Sequence, residues 1–194
     1  ENSIDNYESY TPFLDSLSNH SLIFTNAFAN GRQSIEALPS ILASVPSFKV
    51  PYTSSPYSSQ NIQSLASVFN DIDYSTSFFH GAPNGSMGFL GLSNILGFQN
   101  YYGKNEFNDN SLYDGYWGIW DEPFLDFMKN KIDSFKEPFF TTFFSLSSHE
   151  PFNVPKKYSG VFPTGNIQMH QVVGYSDNAL KEFFNSSKNE PWFK

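Results

Sequence analysis

Helix-like and strand-like patterns alternate along this sequence, and that places it in the α/β class with a largely parallel sheet. Three observations predict it: apolar residues recurring at helical spacing, short aromatic and β-branched runs between them, and Gly, Asn and Pro at the joins. With 39% hydrophobic and 15% charged residues over 194 positions, the chain can bury one sizeable core and is expected to form a single domain, 1–194.

Thr11–Ser18 predicts a short helix with Thr11 as N-cap and Pro12 at the first helical position, followed by a strand-like run at Leu22–Phe28. After a turn at Asn30-Gly31, Ile35, Leu38, Ile41, Leu42 and Val45 repeat at helical spacing, with Pro39 expected to bend or restart that helix. Pro46–Gln60, rich in Ser and Pro, reads as a long surface loop. Ile62–Phe69 predicts a helix, Tyr74–Phe79 a strand, Gly81–Gly88 a turn-rich link and Leu90–Leu96 another short helix. Glu122–Phe135 follows as a helix, Pro138–Leu146 as a buried strand and Val172–Phe184 as an amphipathic helix.

Composition excludes several classes. A net charge of −8, with 11 basic residues scattered along the chain, argues against binding a phosphate backbone, so nucleic acid is not an expected partner. With no cysteine there is no disulfide framework or thiolate metal site. The longest apolar runs, such as Pro138–Phe144, fall far short of the roughly 20 residues of a membrane helix. The 22 Phe residues suit a packed core and also sites that hold sugars or lipid headgroups.

In open α/β sheets ligands bind beyond the carboxyl ends of the strands, so the residues just after each predicted strand carry the candidate chemistry. These are Asn30-Gly31-Arg32-Gln33-Ser34, His80-Gly81 and Ser147-Ser148-His149-Glu150-Pro151. Ser34 opens a helix, where free N–H groups and the helix dipole favour an anion; it is either a nucleophile awaiting a base or metal, or simply the helix N-cap. Arg32 either pairs with an oxyanion or is a solvated surface arginine. His80 and His149 either orient an oxyanion or protonate a leaving group, or are hydrogen-bonded structural histidines. His20 and His170 read as ordinary surface or packing residues. Asp109, Asp121 and Glu122 are either metal ligands or caps.

Tyr10-Thr11-Pro12-Phe13-Leu14-Asp15-Ser16-Leu17, followed by Phe24-Thr25-Asn26-Ala27-Phe28-Ala29, resembles the TPxLDxL…FxNAxA signature near the start of sulfatases and their relatives in the alkaline-phosphatase superfamily. Ser34-Ile35-Glu36-Ala37-Leu38 lacks the proline and arginine of the formylglycine-forming sulfatase motif. The segment from Asn30 to Ile41 instead is similar to the lipoteichoic-acid-synthase-like and phosphoethanolamine-transferase branch, in which Ser34 matches an unmodified Thr or Ser nucleophile. Ser77–Gly81 and Leu146–Phe152 are similar to that branch's headgroup-pocket segments, and Tyr113–Leu125 resembles its WGxxDE region. The branch's Trp and Arg, seven and nine residues beyond the first histidine, are Met87 and Phe89 here.

The resemblance implies an alkaline-phosphatase-like three-layer sandwich, incomplete at both ends. An acidic metal ligand is expected on a strand before the TPFLDSL block, and Glu8-Ser9 lies too close to that block to supply it; the Asp-His pair expected after Val172–Phe184 is not in this chain. Ser34 is therefore the one metal ligand the resemblance places here, with a divalent ion (Mn, Mg or Zn) expected for the intact protein and little activity expected of this chain alone. The implied reaction is phosphotransfer on a phospholipid-headgroup or glycan ester through a covalent Ser34 intermediate, with His80, His149 and Arg32 on the substrate. The alternatives are a sulfatase- or phosphatase-type hydrolase and an inactive envelope glycan- or lipid-binding module. Relatives of this kind are held at the cell membrane by helices outside such a segment, with the catalytic domain extracytoplasmic.

Overall fold

The computed structural model describes residues 9–47 and 49–193. In chain order its helices are α1 (Pro12–Ser18), α2 (Ser34–Ala43), α3 (Leu65–Asn70), α4 (Phe89–Ile95), α5 (Lys104–Phe107), α6 (Asp121–Ile132) and α7 (Met169–Ser187), and its strands β1 (Ser75–Phe79), β2 (Asn100–Tyr102) and β3 (Phe139–Phe143). The chain divides into two compact units, one of Asn26–Asn108 with Phe135–Phe144, the other of Glu1–Thr25, Asp109–Ser134 and Ser145–Lys194. Glu8 lies outside the described residues.

The first unit holds the sheet, in the order β2-β1-β3 with both pairings parallel, as the α/β reading expects. Phe79 of β1 lies opposite Tyr102 on one side and Phe143 on the other, so β1 is the central strand. Its residues Thr76 to Phe79 are buried, which suits a strand covered on both faces. Phe78 joins Leu38 and Leu42 of α2, Ala66 of α3, Phe89 and Leu92 of α4 in one apolar cluster. That cluster is why α2 survives its proline: Pro39 is buried inside a helix that runs on to Ala43 rather than restarting, so packing outweighs the lost backbone hydrogen bond.

The other unit is helical. Phe124, Met128 and Ile132 on α6 and Val172, Tyr175 and Ala179 on α7 form buried stripes at three- and four-residue spacing, and α6 and α7 pack on each other. The N-terminus of α1 meets α7, where Asp177 accepts the backbone N–H groups of Phe13 and Leu14, both at 2.9 Å. Thr11 occupies the N-cap position without making a side-chain capping bond, so the expected local cap is replaced by a residue far along the chain.

Leu22–Phe28 is not a strand. It forms irregular chain with Leu22, Phe24 and Phe28 at 81%, 73% and 91% exposure, because no described strand pairs with it and strand propensity without a partner makes no ladder. Only two of the three segments singled out therefore follow a strand. The structure also adds β2, a three-residue Asn-Tyr-Tyr strand bounded by Gly103, too short to stand out in the sequence.

Candidate active site

Ser34 begins α2, but Gln33 is the N-cap, in extended backbone at φ −124° and ψ 150°, so the serine stands one residue inside the helix. The cap is completed by Glu36, whose carboxylate accepts the N–H of Arg32 at 2.7 Å and of Gln33 at 3.0 Å and the Ser47 hydroxyl at 2.6 Å. The Ser47 hydrogen bond foremost, then the two backbone N–H groups, hold the Glu36 carboxyl below its ordinary range. Gly31 lets the loop fold this closely, since a Cβ there would lie 2.8 Å from the Glu36 Cβ. Ser34 itself is exposed and its hydroxyl bonds to none of the described residues. Gln33 holds the N-cap position without a side-chain capping bond, and Ser34 is not the cap. The exposed Arg32 side chain forms no ion pair among the described residues.

His80 follows the central strand directly. Its N–H donates to the Tyr102 carbonyl at 3.0 Å, and Phe144, just past β3, donates to the Phe79 carbonyl at 2.9 Å, so both neighbouring strands fix this turn. The ring is almost wholly buried, edge-on to Phe89 and Phe144 with centroids 5.0 and 5.3 Å away. Nδ1 lies 2.8 Å from the Phe144 carbonyl oxygen, which only accepts, so Nδ1 carries the proton and Nε2 keeps a lone pair. Burial pushes the imidazole below its ordinary value, and the Phe144 carbonyl offsets only part of that. His80 is neutral at pH 7, a hydrogen-bonded histidine whose second nitrogen has no protein partner among the described residues. Within this unit no hydrogen bond links Ser34, Arg32 and His80 to one another.

His149 belongs to the other unit and is exposed. Its ring lies against Trp117, tilted by 48° with ring centroids 4.2 Å apart, and the Trp117 indole N–H donates to the Glu150 carbonyl. The residues before it are pinned to α6: the buried Asp121 carboxylate accepts the N–H of Leu146 at 2.9 Å and of Ser147 at 3.1 Å, while Ser147 Oγ accepts the Asp121 N–H at 2.8 Å. Burial pushes the Asp121 carboxyl up to about 6 against the opposing pull of those N–H donors. Sequence reasoning missed the Trp117 partnership, although the Trp-Gly pair of the WGxxDE-like block was its signal.

The acidic candidates are structurally occupied. Asp121 holds the His149 segment, Asp109 caps a turn through the Ser111 N–H at 2.8 Å, and Glu122 takes Lys157 at 2.9 Å and the Tyr158 hydroxyl at 3.0 Å. His20 is exposed, and His170 stacks on Tyr10 with centroids 4.0 Å apart. Among the described residues no three His, Asp or Glu side chains converge as a metal-binding group. The described residues thus offer a divalent ion no donor set beyond the Ser34 oxygen, and do not by themselves fit one. No described helix is long and apolar enough to cross a membrane.

The sulfatase family model matches residues 2–188. Lipoteichoic acid synthase 2 of Bacillus subtilis is 24% identical over 135 residues, 66% of this chain and 21% of that protein. The chain thus spans about a fifth of the length of that relative. The crystal structure of the lipoteichoic acid synthase LtaP from Listeria monocytogenes superposes with a TM-score of 0.83 at 24% identity, over 93% of this chain and 47% of the other. The C-terminal periplasmic domain of EcEptC from Escherichia coli, in a complex with Zn, does so with a TM-score of 0.67 at 15% identity, over 97% and 55%.

Proposed function

The chain belongs to the sulfatase family, in its lipoteichoic-acid-synthase-like branch, and from that membership we propose that Ser34 is the nucleophile of a phosphotransferase acting on cell-envelope lipid or glycan phosphoesters. The observation that carries the reading is the Ser34 hydroxyl at the start of α2, exposed and bonded to none of the described residues, with Gln33 rather than Ser34 at the N-cap position. Its oxygen attacks phosphorus, the ester's alcohol leaves with a proton, and an acceptor hydroxyl then displaces Ser34 from the phospho-enzyme, restoring the serine. Backbone N–H groups of the first turn of α2 face the developing negative charge. His149 contacts the phosphate or the leaving oxygen and Arg32 the anionic oxygens, while His80, its Nδ1–H committed to the Phe144 carbonyl, contacts the substrate by accepting a hydroxyl through Nε2.

A divalent ion, held by the Ser34 oxygen together with donors beyond those described in this chain, would lower the pKa of a bound hydroxyl. The reading places the reaction outside the cytoplasmic membrane.

The test compares hydrolysis of p-nitrophenyl phosphate, p-nitrophenyl sulfate and a fluorescent phosphatidylglycerol by the intact protein, which supplies the further metal donors, and by its Ser34→Ala variant, with Mn²⁺ or Mg²⁺ supplied. Turnover lost in the variant, together with phosphoserine at position 34 in trapped wild type, supports the nucleophile. Equal turnover in both proteins removes it. Release of phosphate to water with no transfer to glycerol or sugar acceptors replaces transferase by hydrolase.

A further inference from the structure

Asn-Gly occurs twice in the sequence, at Asn30-Gly31 and Asn84-Gly85, and the fold treats the two pairs differently. Such a pair is chemically labile, because glycine has no Cβ to keep its backbone nitrogen away from the preceding side-chain amide. Ring closure needs an amide free to move, so local bonding decides whether the pair reacts. Asn84 is held: its amide N–H groups donate to both Glu106 carboxylate oxygens at 3.0 Å, and the same carboxylate takes the Gly103 N–H at 2.7 Å. Asn30 ends the run 21–30, in which every residue is exposed and none lies in a helix or strand. Neither its side-chain amide nor the Gly31 N–H bonds to any described residue. The first anchors nearby are the Asn30 backbone carbonyl, 3.2 Å from the Ser40 hydroxyl, and the Arg32 N–H on Glu36.

We propose that Asn30-Gly31 is a deamidation site whose isoaspartate product disables Ser34. The deprotonated Gly31 nitrogen attacks Asn30 Cγ, the bond from Cγ to the amide nitrogen breaks, and that nitrogen leaves as ammonia. Water then opens the five-membered succinimide: at Cγ it gives aspartate, and at the backbone carbonyl it gives isoaspartate. Isoaspartate routes the main chain through the former side chain. It lengthens the chain by one methylene and turns the carbonyl that the Ser40 hydroxyl reaches into a free carboxylate. The Glu36 carboxylate fixes the chain from Arg32 onward, so the extra length falls immediately before that clamp. The new charge stands four residues ahead of Ser34 and repels an anionic ester there. The loss of turnover rests on the reading of Ser34 as nucleophile; the modification itself does not.

The experiment incubates the intact protein, Asn30→Gln and Glu106→Ala at mildly alkaline pH and follows the amide-to-acid mass change and isoaspartate at each position by peptide mapping. Conversion at Asn30 is expected to run at least about tenfold faster than at Asn84, because Asn84 must first break a charge-assisted hydrogen bond. Glu106→Ala narrows that gap by releasing Asn84, and Asn30→Gln, whose longer side chain closes the ring poorly, shows no conversion at position 30. No conversion at Asn30, equal rates at Asn30 and Asn84, or aspartate without isoaspartate overturns the site. Turnover of p-nitrophenyl phosphate with Mn²⁺, measured on the same samples, falls in step with isoaspartate in the wild type and holds its starting value in Asn30→Gln. Turnover that holds while isoaspartate accumulates overturns the effect on Ser34. Fresh protein without turnover removes the nucleophile reading alone, and the peptide map still decides the site.

Discussion

The Glu36 carboxylate accepts the Arg32 backbone N–H at 2.7 Å, tying the loop before Ser34 to the third position of the helix that Ser34 begins. The same carboxylate oxygen takes the Gln33 N–H, so one side chain sets the path of the chain immediately ahead of the proposed nucleophile.

Glu36→Ala should therefore cut kcat by roughly tenfold or more, since a small displacement of a nucleophile is enough to do so, with the fold retained. Because the Glu36 carboxyl is held below its ordinary range, the stability it adds is present above the unfolded carboxylate pKa and is lost as pH falls through the lower folded value. Kinetics on the Mn²⁺-supplied protein, beside circular dichroism, checks both parts; unchanged kcat in a folded Glu36→Ala would sink the positioning role.

Asp121 has the opposite pH sign. Its folded carboxyl titrates near 6 against an ordinary value of 3.8, so its contribution is fully present below 3.8 and is lost as pH rises through about 6. The difference amounts to about 3 kcal/mol across that window. Asp121→Asn loses one N–H acceptor at every pH but escapes this slope. Urea unfolding at pH 4 and pH 7 should show the stability gap between the two proteins moving by that amount in favour of Asn at the higher pH.

How far the sequence reaches is clearest where local and distant causes part. α7 was legible because Val172, Tyr175 and Ala179 repeat on one face, and β1 and β3 because apolar runs of strand length carry their own signal. The Leu22–Phe28 run has the same local character and makes no strand, because pairing is a property of the neighbour and not of the run. The α1 cap was misplaced for a similar reason: Thr11 is the local candidate, while the working acceptor, Asp177, lies 164 residues from Phe13. At the candidate site, the residue types and their order were legible. The one-residue offset that puts Gln33 rather than Ser34 at the N-cap depends on backbone angles, and the Trp117–His149 pair on a contact that no spacing rule reports.

His80 should behave as a neutral imidazole. Since its folded value lies below 6.5, the stability it supports is present above pH 6.5 and declines as pH falls through the window below it. His80→Gln can keep a donor toward the Phe144 carbonyl but cannot titrate, so thermal unfolding of the variant should lack the acid-side decline attributable to this ring. If the wild type and His80→Gln lose stability in parallel between pH 7 and 5, the ring is not the group that titrates.

Phe89 occupies the position at which the resemblance expects an arginine, and it is fully buried, edge-on to His80 and 5.0 Å from the Phe144 ring. Grafting the arginine back does not restore a phosphate contact here. A guanidinium at this site would replace a ring that fills the apolar cluster and would bring a charge with no acid among the core residues to pair with it. Phe89→Arg should cost more than about 3 kcal/mol, whereas Phe89→Leu, which keeps an apolar side chain, should cost no more than about 1.5 kcal/mol. Denaturant unfolding of the two variants decides it. A stable, folded Phe89→Arg with improved turnover of phosphatidylglycerol would mean that the side chain escapes to solvent and that the aromatic box around His80 is not what sets headgroup choice.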